Sequence, residues 1–518
     1  MLISQVGCVT IYKIMNSEVY MDNNICLIID TLDFDKTKVL FGEDKLIKKG
    51  NVSAAILGNV YGLDQNRLDA EGVIDLYNKY GKDTDTVLDG IYTAIVLDYD
   101  KKRAYVFQDF FGSNQAIFYY NDNGRVYITN SLRAIVTGVK KDWQMNMAAV
   151  KQFILRGYSA NSDTLIKGIC KMPGKANLEV AKKPKLLKHK KLDNVKEEIS
   201  IEKYDDVVSR NTRAVWHEGM ATTISSGYDS NYIMHNLQKL SDKRIDAFCI
   251  GGTIGTDEIP DAEKICAYYG NVDLHTRRVN GSSFDKLPEI VYAMEGCMYE
   301  RGIFLQYELA DLVSSHGVKH IMLGESADQV LNFEMYHPFH QAKAIFDYTM
   351  KKLPGRIFKG LRFRPYRTVY DMATYIVTKK NGIMMNYFGV NPEYPYMRKE
   401  YMKTCENAVK IGEKKKEFHK KAINAILPEG VTSVIHKMPG STELKDLFIG
   451  EITYEDILEI CKKSPYYKKA KFDDCFYEID NYLKITYLEV FRRMFIEQPE
   501  KYLTDKFEGY TLKDVLFS

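Results

Sequence analysis

The sequence has no apolar run that approaches the roughly 20 residues needed to span a bilayer. Its first ten residues, MLISQVGCVT, also lack the basic start and the long apolar stretch of a secretory signal. We therefore expect no membrane partner, and a cytoplasmic location follows by default.

Cysteine is sparse and irregularly placed. The nine cysteines of this 518-residue chain are odd in number, scattered and without any C-x-x-C spacing. Disulfide frameworks need paired cysteines, and zinc cages need closely spaced ones. The pattern predicts neither, and most of these cysteines are expected to be small buried hydrophobic residues.

Net charge is almost absent. Lysine and arginine number 72 against 69 aspartates and glutamates, so the formal net charge is +3. A balance this even gives no electrostatic reason to expect nucleic acid as a partner. Two basic segments stand out, residues 181–191 and 410–421. We interpret the first as a solvated hairpin or linker and the second as the solvated face of a helix.

The first 190 residues contain short β-type runs separated by turn residues such as Asp122-Asn123-Gly124. Two helices interrupt this series, near Ala70–Tyr80 and Met147–Arg156, where apolar residues return at intervals of three and four. The pattern predicts an α+β domain of stacked antiparallel sheets over residues 1–190.

From about residue 200 the pattern changes to alternating strands and helices. A short apolar run at 220–224 and strand-like segments at 245–250, 273–277 and 319–323 have helical segments between them. This alternation is typical of βαβ units and predicts an α/β domain with a parallel sheet over residues 200–518. Ligands of such sheets bind beyond the carboxyl ends of the strands, so the strand-to-helix junctions are the candidate site.

The first junction, residues 225–230 (SSGYDS), places small hydroxyl residues, a glycine and an aspartate between a strand and a helix. Small residues let the backbone approach a ligand, while backbone N–H groups, serine hydroxyls and a helix N-terminus all favour phosphate. Asp229 would repel phosphate unless a cation lay between them, so we interpret it as a Mg²⁺ ligand. An ordinary N-capped helix after a serine-rich turn explains the same residues.

A second junction, residues 324–328 (GESAD), also follows an apolar strand with small residues and carboxylates. It supplies a second aspartate at the end of a strand. Asp229 and Asp328 would together hold one Mg²⁺ on a triphosphate.

Both junctions resemble motifs of known families. Residues 225–230 resemble the S-G-G-x-D-S pyrophosphate loop of N-type ATP pyrophosphatases, and 324–328 resemble the G-E-G-x-D loop of class B asparagine synthetases. Residues 248–251 resemble the strand on the adenine side of that family. The resemblance implies ATP and Mg²⁺ as cofactors, with Asp229 and Asp328 as metal ligands. The implied nucleotide-binding residues are Ser225, Ser226, Gly227, Asp229, Ser230, Ile250, Gly251 and Gly324.

The first half resembles the glutaminase core of the same enzymes in residues 88–94 and 109–112. Residues 130–135 resemble the strand and turn that follow that core. The resemblance implies an Ntn-hydrolase-like sandwich for the α+β domain.

The features that hydrolyse glutamine are missing from this first half. Those enzymes use a cysteine as residue one, whose own amino group acts as the base. This chain begins Met1-Leu2, and its nearest thiol, Cys8, would act only after removal of seven residues. Leu57-Gly58 replaces the Asn-Gly of the oxyanion hole, which removes a side-chain donor. We therefore expect a degenerate amidotransferase-like domain and nitrogen from ammonia or from an amine.

Two residues are candidates for the chemistry. Residues 427–441 resemble the family's LP…R-x-K-x-G segment and place Lys437 where these enzymes have a lysine that offsets negative charge on the acyl-adenylate. Glu325 is the candidate for accepting the amine proton or holding the amine. Asn391 and Glu393 replace the Glu and Arg of the family's E-x-R-x-P-F segment, so we expect a changed acceptor pocket.

These observations predict an AMP-forming carbon–nitrogen ligase that adenylates a carboxylate for attack by an amine. β-Lactam and lasso-peptide macrolactam synthetases, which lack the leading cysteine, set the precedent for an intramolecular amine in natural-product biosynthesis. An ammonia-dependent asparagine synthetase and a catalytically silent paralogue are the alternatives. A tRNA thiolase is disfavoured because no reactive cysteine pair or basic domain is visible. The expected partners are a small-molecule or peptide carboxylate and an amine, and a homodimer stays open.

Overall fold

The computed structural model describes residues 24–159, 162–189, 199–252, 257–279, 281–327, 377–407, 415–436, 452–466 and 478–517. Cys8, Asp328 and Lys437, which the sequence singles out, lie outside the described residues.

Two antiparallel sheets form the first half of the chain. Their strands are β1 (Cys26–Asp30), β2 (Lys38–Phe41), β3 (Ile47–Lys49), β4 (Val52–Gly62), β5 (Arg67–Leu68), β6 (Leu88–Asp98), β7 (Arg103–Gln108), β8 (Phe118–Asp122), β9 (Arg125–Thr129), β10 (Cys170–Lys171), β11 (Ala176–Val180) and β12 (Pro184–Lys188). One sheet has the order β10-β8-β9-β1-β2. The other has the order β12-β11-β7-β6-β4-β3, with β5 paired to β4.

Successive residues of a strand point to opposite faces of its sheet, so each sheet can bury one face against the other. The two sheets pack face to face in this way. Leu27 of β1 and Ile95 of β6 belong to one buried cluster between the sheets. The alternate residues of β6, Ala94 and Val96, belong to a second cluster that includes the helix Ala70–Tyr80. The predicted α+β sandwich of antiparallel sheets is therefore confirmed.

Both helices predicted in this half are present with the expected bounds, Ala70–Tyr80 and Met147–Arg156. A further helix, Leu132–Gly138, begins inside the segment that was expected to be a strand and turn. Ser131 caps this helix by accepting a hydrogen bond from the Ala134 amide. The strand-and-turn expectation was thus wrong after Ser131, because a serine followed by apolar residues starts a helix here.

A parallel sheet forms the second half. Its strands are β13 (Ala221–Thr223), β14 (Ile245–Gly251), β15 (Val272–Arg278), β16 (His320–Met322) and β17 (Asn391–Glu393). The order is β15-β14-β13-β16-β17, and all neighbouring strands are parallel. The α/β prediction is confirmed. Strand β17 was not predicted, since it is short and contains Pro392, a residue that sheets tolerate at an edge.

Helices connect and cover these strands. The α-helices described in this half are Ile201–Val215, Tyr228–Gln238, Ile259–Tyr269, Leu287–Met294, Ile303–Ser315, Lys379–Tyr387, Lys399–Asn407, Lys415–Ile426, Glu429–Thr432, Tyr454–Lys463, Glu478–Arg492, Pro499–Tyr502 and Leu512–Leu516.

The two halves meet through close backbone contacts. The Tyr299 amide donates to the Gly157 carbonyl at 2.6 Å, and a Cβ at Gly157 would lie 2.0 Å from the Tyr299 carbonyl oxygen. Likewise, a Cβ at Gly382 would lie 2.5 Å from the Ser113 carbonyl oxygen. Each contact requires glycine, so the helix Lys379–Tyr387 rests directly on the first half.

The two basic segments behave differently. Residues 181–191 contain β12, which pairs with β11 as the predicted hairpin. Residues 410–421 overlap the helix Lys415–Ile426, but His419 in that helix is only 1% exposed. The interpretation of this helix as a solvated face was therefore wrong at His419.

Among the described helices, none has the length and apolarity to cross a membrane.

Candidate functional site

The predicted site lies where the parallel sheet reverses its order. The chain runs from β13 outward through β14 to β15, and then returns to β16 on the other side of β13. Diverging connections at such a point open a crevice beyond the carboxyl ends of the two central strands. Residues 225–230 follow β13 and residues 324–327 follow β16, so the structure brings both predicted loops to this crevice.

The carbonyl groups of the first loop are already occupied. The side-chain amide of Asn231 donates to the Ser225 carbonyl at 2.8 Å and to the Gly227 carbonyl at 2.7 Å. The Ser226 carbonyl accepts from the His436 amide at 2.9 Å. With these acceptors satisfied, the polar groups that the loop can still offer are chiefly donors, which is the requirement for an anion site.

The hydroxyl groups of the loop hold its two ends together. The Ser225 and Ser230 hydroxyl oxygens lie 2.8 Å apart, and the Ser225 hydroxyl also accepts from the Gly227 amide at 3.1 Å. The helix Tyr228–Gln238 begins at once after Gly227, and none of the described side chains caps it. Its first amides and its dipole therefore remain available to an anion.

The two loops touch at Gly324. A Cβ at this position would lie 2.7 Å from the Ser230 amide nitrogen and 2.8 Å from the Ser230 Cα. Only glycine allows this approach, so the loop after β16 packs directly on the start of the helix Tyr228–Gln238. Gly324 is thus a packing residue of the site.

Ser226 and Gly251 lie on the β14 side of the crevice. The Ser226 hydroxyl donates to Oε1 of Glu258 at 2.8 Å. Burial raises the pKa of Glu258, and this hydrogen bond opposes the rise. A Cβ at Gly251 would lie 2.4 Å from a carboxylate oxygen of Asp257, and Ile250 beside it is partly buried. Ser226 therefore contributes its backbone to the loop, while its side chain binds Glu258.

Asp229, the predicted metal ligand, has a partner that the sequence did not suggest. Its Oδ1 lies 2.5 Å from Nε2 of His419, and Nδ1 of His419 lies 2.5 Å from the Tyr204 hydroxyl. The Asp229 carbonyl accepts from the Tyr396 hydroxyl at 3.2 Å. The Asp229 side chain is 29% exposed, whereas His419 is 1% exposed. One carboxylate oxygen is therefore held from inside the protein.

Glu325, the predicted base, is half-buried in the second loop. Burial raises the pKa of its carboxyl, while Lys380 and a hydrogen bond from Asn381 lower it, and the Asp229 charge raises it further. Among the described residues, no hydrogen-bond partner reaches its Oε2 atom. The structure thus places Glu325 electrostatically close to Asp229, with one carboxyl oxygen unengaged.

The structure gives Glu393 and Asn391 different surroundings. Glu393 is buried, and its Oε1 accepts from the Tyr61 hydroxyl of the first half at 2.9 Å. Burial raises the pKa of Glu393 to about 7, although Arg398 lowers it. The segment that replaces the family's E-x-R-x-P-F motif is therefore an anchor between the halves, and Asn391 borders the pocket described next.

A pocket of about 470 Å³ lies beside Leu57-Gly58, the pair that replaces Asn-Gly in the sequence comparison above. Leu57 and Gly58 line it, together with His320 and Asn391 of the second half. The Leu57 side chain is buried in the cluster between the sheets. It has no polar hydrogen, so this position offers no side-chain donor to an oxyanion.

Sequence reasoning missed four residues that build the site: His419, Tyr204, Tyr396 and Asn231. His419 stands in a lysine-rich run that indicates a solvated helix, and the two tyrosines are distant in sequence from both loops. Only Asn231 carried a usable signal, since it follows the loop directly. Two predicted residues, Asp328 and Lys437, lie outside the described residues.

Comparison with known families agrees with both halves. The family model for asparagine synthase matches residues 208–381. The family model for a glutamine amidotransferase domain matches residues 64–190. The first match lies within the parallel-sheet half and the second within the antiparallel sandwich, and the Ntn-type assignment of the sandwich is confirmed.

Curated relatives are distant but consistent. The chain is 20% identical to asparagine synthetase [glutamine-hydrolyzing] 2 of Oryza sativa subsp. japonica over 74% of this chain and 64% of the relative. It is 22% identical to asparagine synthetase [glutamine-hydrolyzing] 3 of Arabidopsis thaliana over 64% of this chain and 57% of the relative. A putative asparagine synthetase of Methanocaldococcus jannaschii is 21% identical over 58% of this chain and 62% of the relative. The chain thus matches less than two thirds of the length of these relatives.

Similar solved structures include the following two. One is described as the allosteric regulatory enzyme of purine biosynthesis, with a TM-score of 0.22 and 10% identity over 52% of this chain and 78% of that chain. The other is the glutamine phosphoribosylpyrophosphate amidotransferase of B. subtilis, with a TM-score of 0.22 and 10% identity over 61% of this chain and 79% of that chain.

Proposed function

This chain belongs to the asparagine synthetase-like superfamily, and we propose that it is an AMP-forming carbon–nitrogen ligase that uses ATP to join a carboxylate to an amine. The observation that carries the proposal is the first loop. The carbonyls of Ser225, Ser226 and Gly227 are occupied, while the helix that follows is uncapped by any described side chain. A loop of donors at a helix N-terminus favours the pyrophosphate part of ATP.

The chain's own residues divide the binding between them. The first amides of the helix Tyr228–Gln238 would donate to phosphate oxygens, with the Ser225 and Ser230 hydroxyls at the ends of the loop. Gly227, whose amide donates to the Ser225 hydroxyl, would let the backbone approach the phosphates closely. Ile250 and Gly251, at the end of β14, would border the adenine. Gly324 sets the distance between the two loops.

Asp229 fits the role of a magnesium ligand. Its carboxylate is partly exposed at the phosphate loop, and only Oδ1 has a partner among the described residues. Mg²⁺, when bound, would neutralise phosphate oxygens and so favour departure of pyrophosphate. The described residues contain no cluster of three metal-binding side chains. Mg²⁺ commonly binds nucleotides through one or two carboxylates and the phosphates, and Asp328 is the second ligand that we propose.

The reaction has two steps. A substrate carboxylate oxygen attacks the α-phosphorus of ATP, which forms an acyl-adenylate and releases pyrophosphate. The amine nitrogen then attacks the acyl carbonyl, the bond to AMP breaks, and the amine loses a proton. Glu325 is proposed to take that proton, since burial makes its carboxylate more basic. Lys437 is proposed to offset the charge on the intermediate.

We propose that the nitrogen comes from ammonia or a substrate amine. Leu57 gives the first half no side-chain donor at the oxyanion position. An amine within the carboxylate substrate itself, as in β-lactam or macrolactam formation in natural-product biosynthesis, is the finer form of the proposal. The second candidate, an ammonia-dependent asparagine synthetase, uses the same loops and differs only in its substrates.

The test is carboxylate-dependent exchange of radioactive pyrophosphate into ATP, followed by AMP formation when amines are added. Wild type is compared with Asp229→Asn and with Asp246→Asn, which makes the same change at the amino end of β14, at the edge of the sheet opposite the phosphate loop. We expect exchange in wild type and Asp246→Asn, and a loss of at least about 100-fold in Asp229→Asn. Glutamine should not replace the amine.

Three outcomes separate the candidates. Turnover with pooled amines and carboxylates identifies an amide synthetase, and turnover with aspartate and ammonium alone identifies an asparagine synthetase. Failure of wild type to bind ATP would overturn both and leave a catalytically silent paralogue.

A further inference from the structure

A buried imidazole lies directly behind the phosphate loop. His419, on the helix Lys415–Ile426, has hydrogen-bond partners 2.5 Å from each of its ring nitrogens. On one side is the Asp229 carboxylate. On the other is the hydroxyl of Tyr204, which belongs to the helix Ile201–Val215 and is fully buried.

The chemistry of the partners fixes the direction of these bonds. A carboxylate only accepts hydrogen bonds, so Nε2 of His419 must carry the proton that it donates to Asp229. In a neutral imidazole Nδ1 is then the acceptor, and the Tyr204 hydroxyl donates to it. The Tyr204 oxygen also lies 3.3 Å from the Tyr401 hydroxyl. With the imidazole neutral, the hydrogen bonds run from Tyr204 through His419 to Asp229, and in either protonation state Nε2 donates to Asp229.

These hydrogen bonds leave the Asp229 side chain with one orientation. Its Oδ1 is held by His419, its carbonyl accepts from Tyr396, and the whole side chain is only 29% exposed. Rotation of the carboxylate would break a hydrogen bond from a buried imidazole, which is costly. Oδ2 is thus the oxygen that remains for the crevice.

We propose that His419 is a positioning residue that fixes Asp229 as a one-oxygen ligand for the nucleotide-bound metal, with Tyr204 fixing the imidazole in turn. The inference rests on the proposed function, because it assumes that the loop binds a metal–ATP complex. Groups that orient a metal ligand commonly change metal affinity by 10- to 100-fold when they are removed.

The test is metal binding in place of turnover. Free Mn²⁺ is counted by electron paramagnetic resonance in the presence of protein and a non-hydrolysable ATP analogue, and analogue binding is measured separately in EDTA. His419→Leu removes the donor but keeps an apolar side chain of similar bulk, whereas His419→Gln keeps an N–H donor. Tyr204→Phe removes only the outer hydroxyl.

A neighbouring tyrosine provides the matched control. Tyr232 stacks on Tyr204 with ring centroids 6.0 Å apart, but its hydroxyl donates to Asp205 and takes no part in the hydrogen bonds to His419. Tyr232→Phe therefore makes the same change in the same cluster. Melting temperatures of all variants show which of them fold.

We expect His419→Leu to weaken Mn²⁺ binding in the ternary complex at least roughly 10-fold, with analogue binding in EDTA unchanged. His419→Gln should recover most of the affinity, Tyr204→Phe should lose several-fold, and Tyr232→Phe should match wild type. Equal Mn²⁺ affinity in wild type and folded His419→Leu would overturn the positioning role alone. Absence of metal-dependent analogue binding in wild type would overturn the proposed function and this inference with it.

Discussion

Ser326 has a backbone conformation that its side chain disfavours. Its φ is +78°, in the left-handed region, and the residue is 2% exposed. It stands at the second glycine of the G-E-G-x-D pattern that residues 324–328 resemble. A residue with a Cβ is strained in this region, whereas glycine is not. The loop that carries Glu325 is therefore under local strain that the packing around it maintains.

Replacing Ser326 by glycine should relieve this strain. Relief of the strain in Ser326→Gly should raise the free energy of unfolding by about 1 kcal/mol. The extra conformational entropy that glycine gives the unfolded chain reduces this gain. Urea unfolding measures the change. Gly324→Ala is the opposite change two residues away, and its Cβ would lie 2.7 Å from the Ser230 amide nitrogen, so it should destabilise. A destabilised Ser326→Gly would show that the serine hydroxyl matters more than the backbone.

The site residues that could be predicted are those that stand together in short sequence motifs. Ser225, Gly227, Asp229 and Gly324 lie in short loops whose composition indicates backbone approach and anion binding, and the structure brings these loops together. His419 could not be found this way. Its role depends on a helix roughly 190 residues away in sequence, and its lysine neighbours indicate solvent rather than burial.

Helix Leu132–Gly138 shows how an element of one half depends on a residue of the other. Glu295 accepts from the Leu132 amide at 2.7 Å, from the Arg133 amide at 3.1 Å and from the Arg133 side chain at 2.9 Å. Burial raises the pKa of Glu295, and Arg133 lowers it. A helix N-terminus favours a negative group, so this buried carboxylate caps the helix from outside. The sequence around 130–135 carries no sign of this partner.

Removing that charge should be costly. Glu295→Gln keeps the shape of the side chain but removes the negative charge of the buried pair that Glu295 forms with Arg133. Breaking a buried ion pair from one side is strongly destabilising, so we expect a loss of roughly 3–5 kcal/mol in the free energy of unfolding. Urea unfolding monitored by tryptophan fluorescence measures it. The exposed pair of Lys49 and Asp75 provides the comparison, and Lys49→Gln should change stability by less than about 1 kcal/mol. Similar losses in the two variants would contradict the capping role.

At the scale of the whole molecule, the halves are joined by a buried polar contact close to the sheet edge. Tyr61 donates to Glu393 of β17, and Arg398 donates to Asp89 of β6 at 2.9 Å. The fold class of each half followed from the period of its apolar residues, because strands and helices impose those periods locally. The contacts between the halves could not be predicted in this way, because they pair residues more than 300 positions apart and depend on how two folded domains meet.

Glu393 should make this junction sensitive to pH. Its pKa is about 7 in the folded protein against 4.5 as its ordinary value, so the folded state holds the proton more tightly than the unfolded chain. Stability should therefore fall as pH rises from about 4.5 to 7 and level off above that, by at most roughly 3 kcal/mol. Glu393→Gln keeps an acceptor for Tyr61 and cannot titrate. The difference in unfolding free energy between wild type and Glu393→Gln should shift in favour of the variant between pH 5 and 8. If the unfolding free energies of wild type and Glu393→Gln changed with pH in parallel, Glu393 would be charged in the folded protein, with Arg398 as its counter-charge.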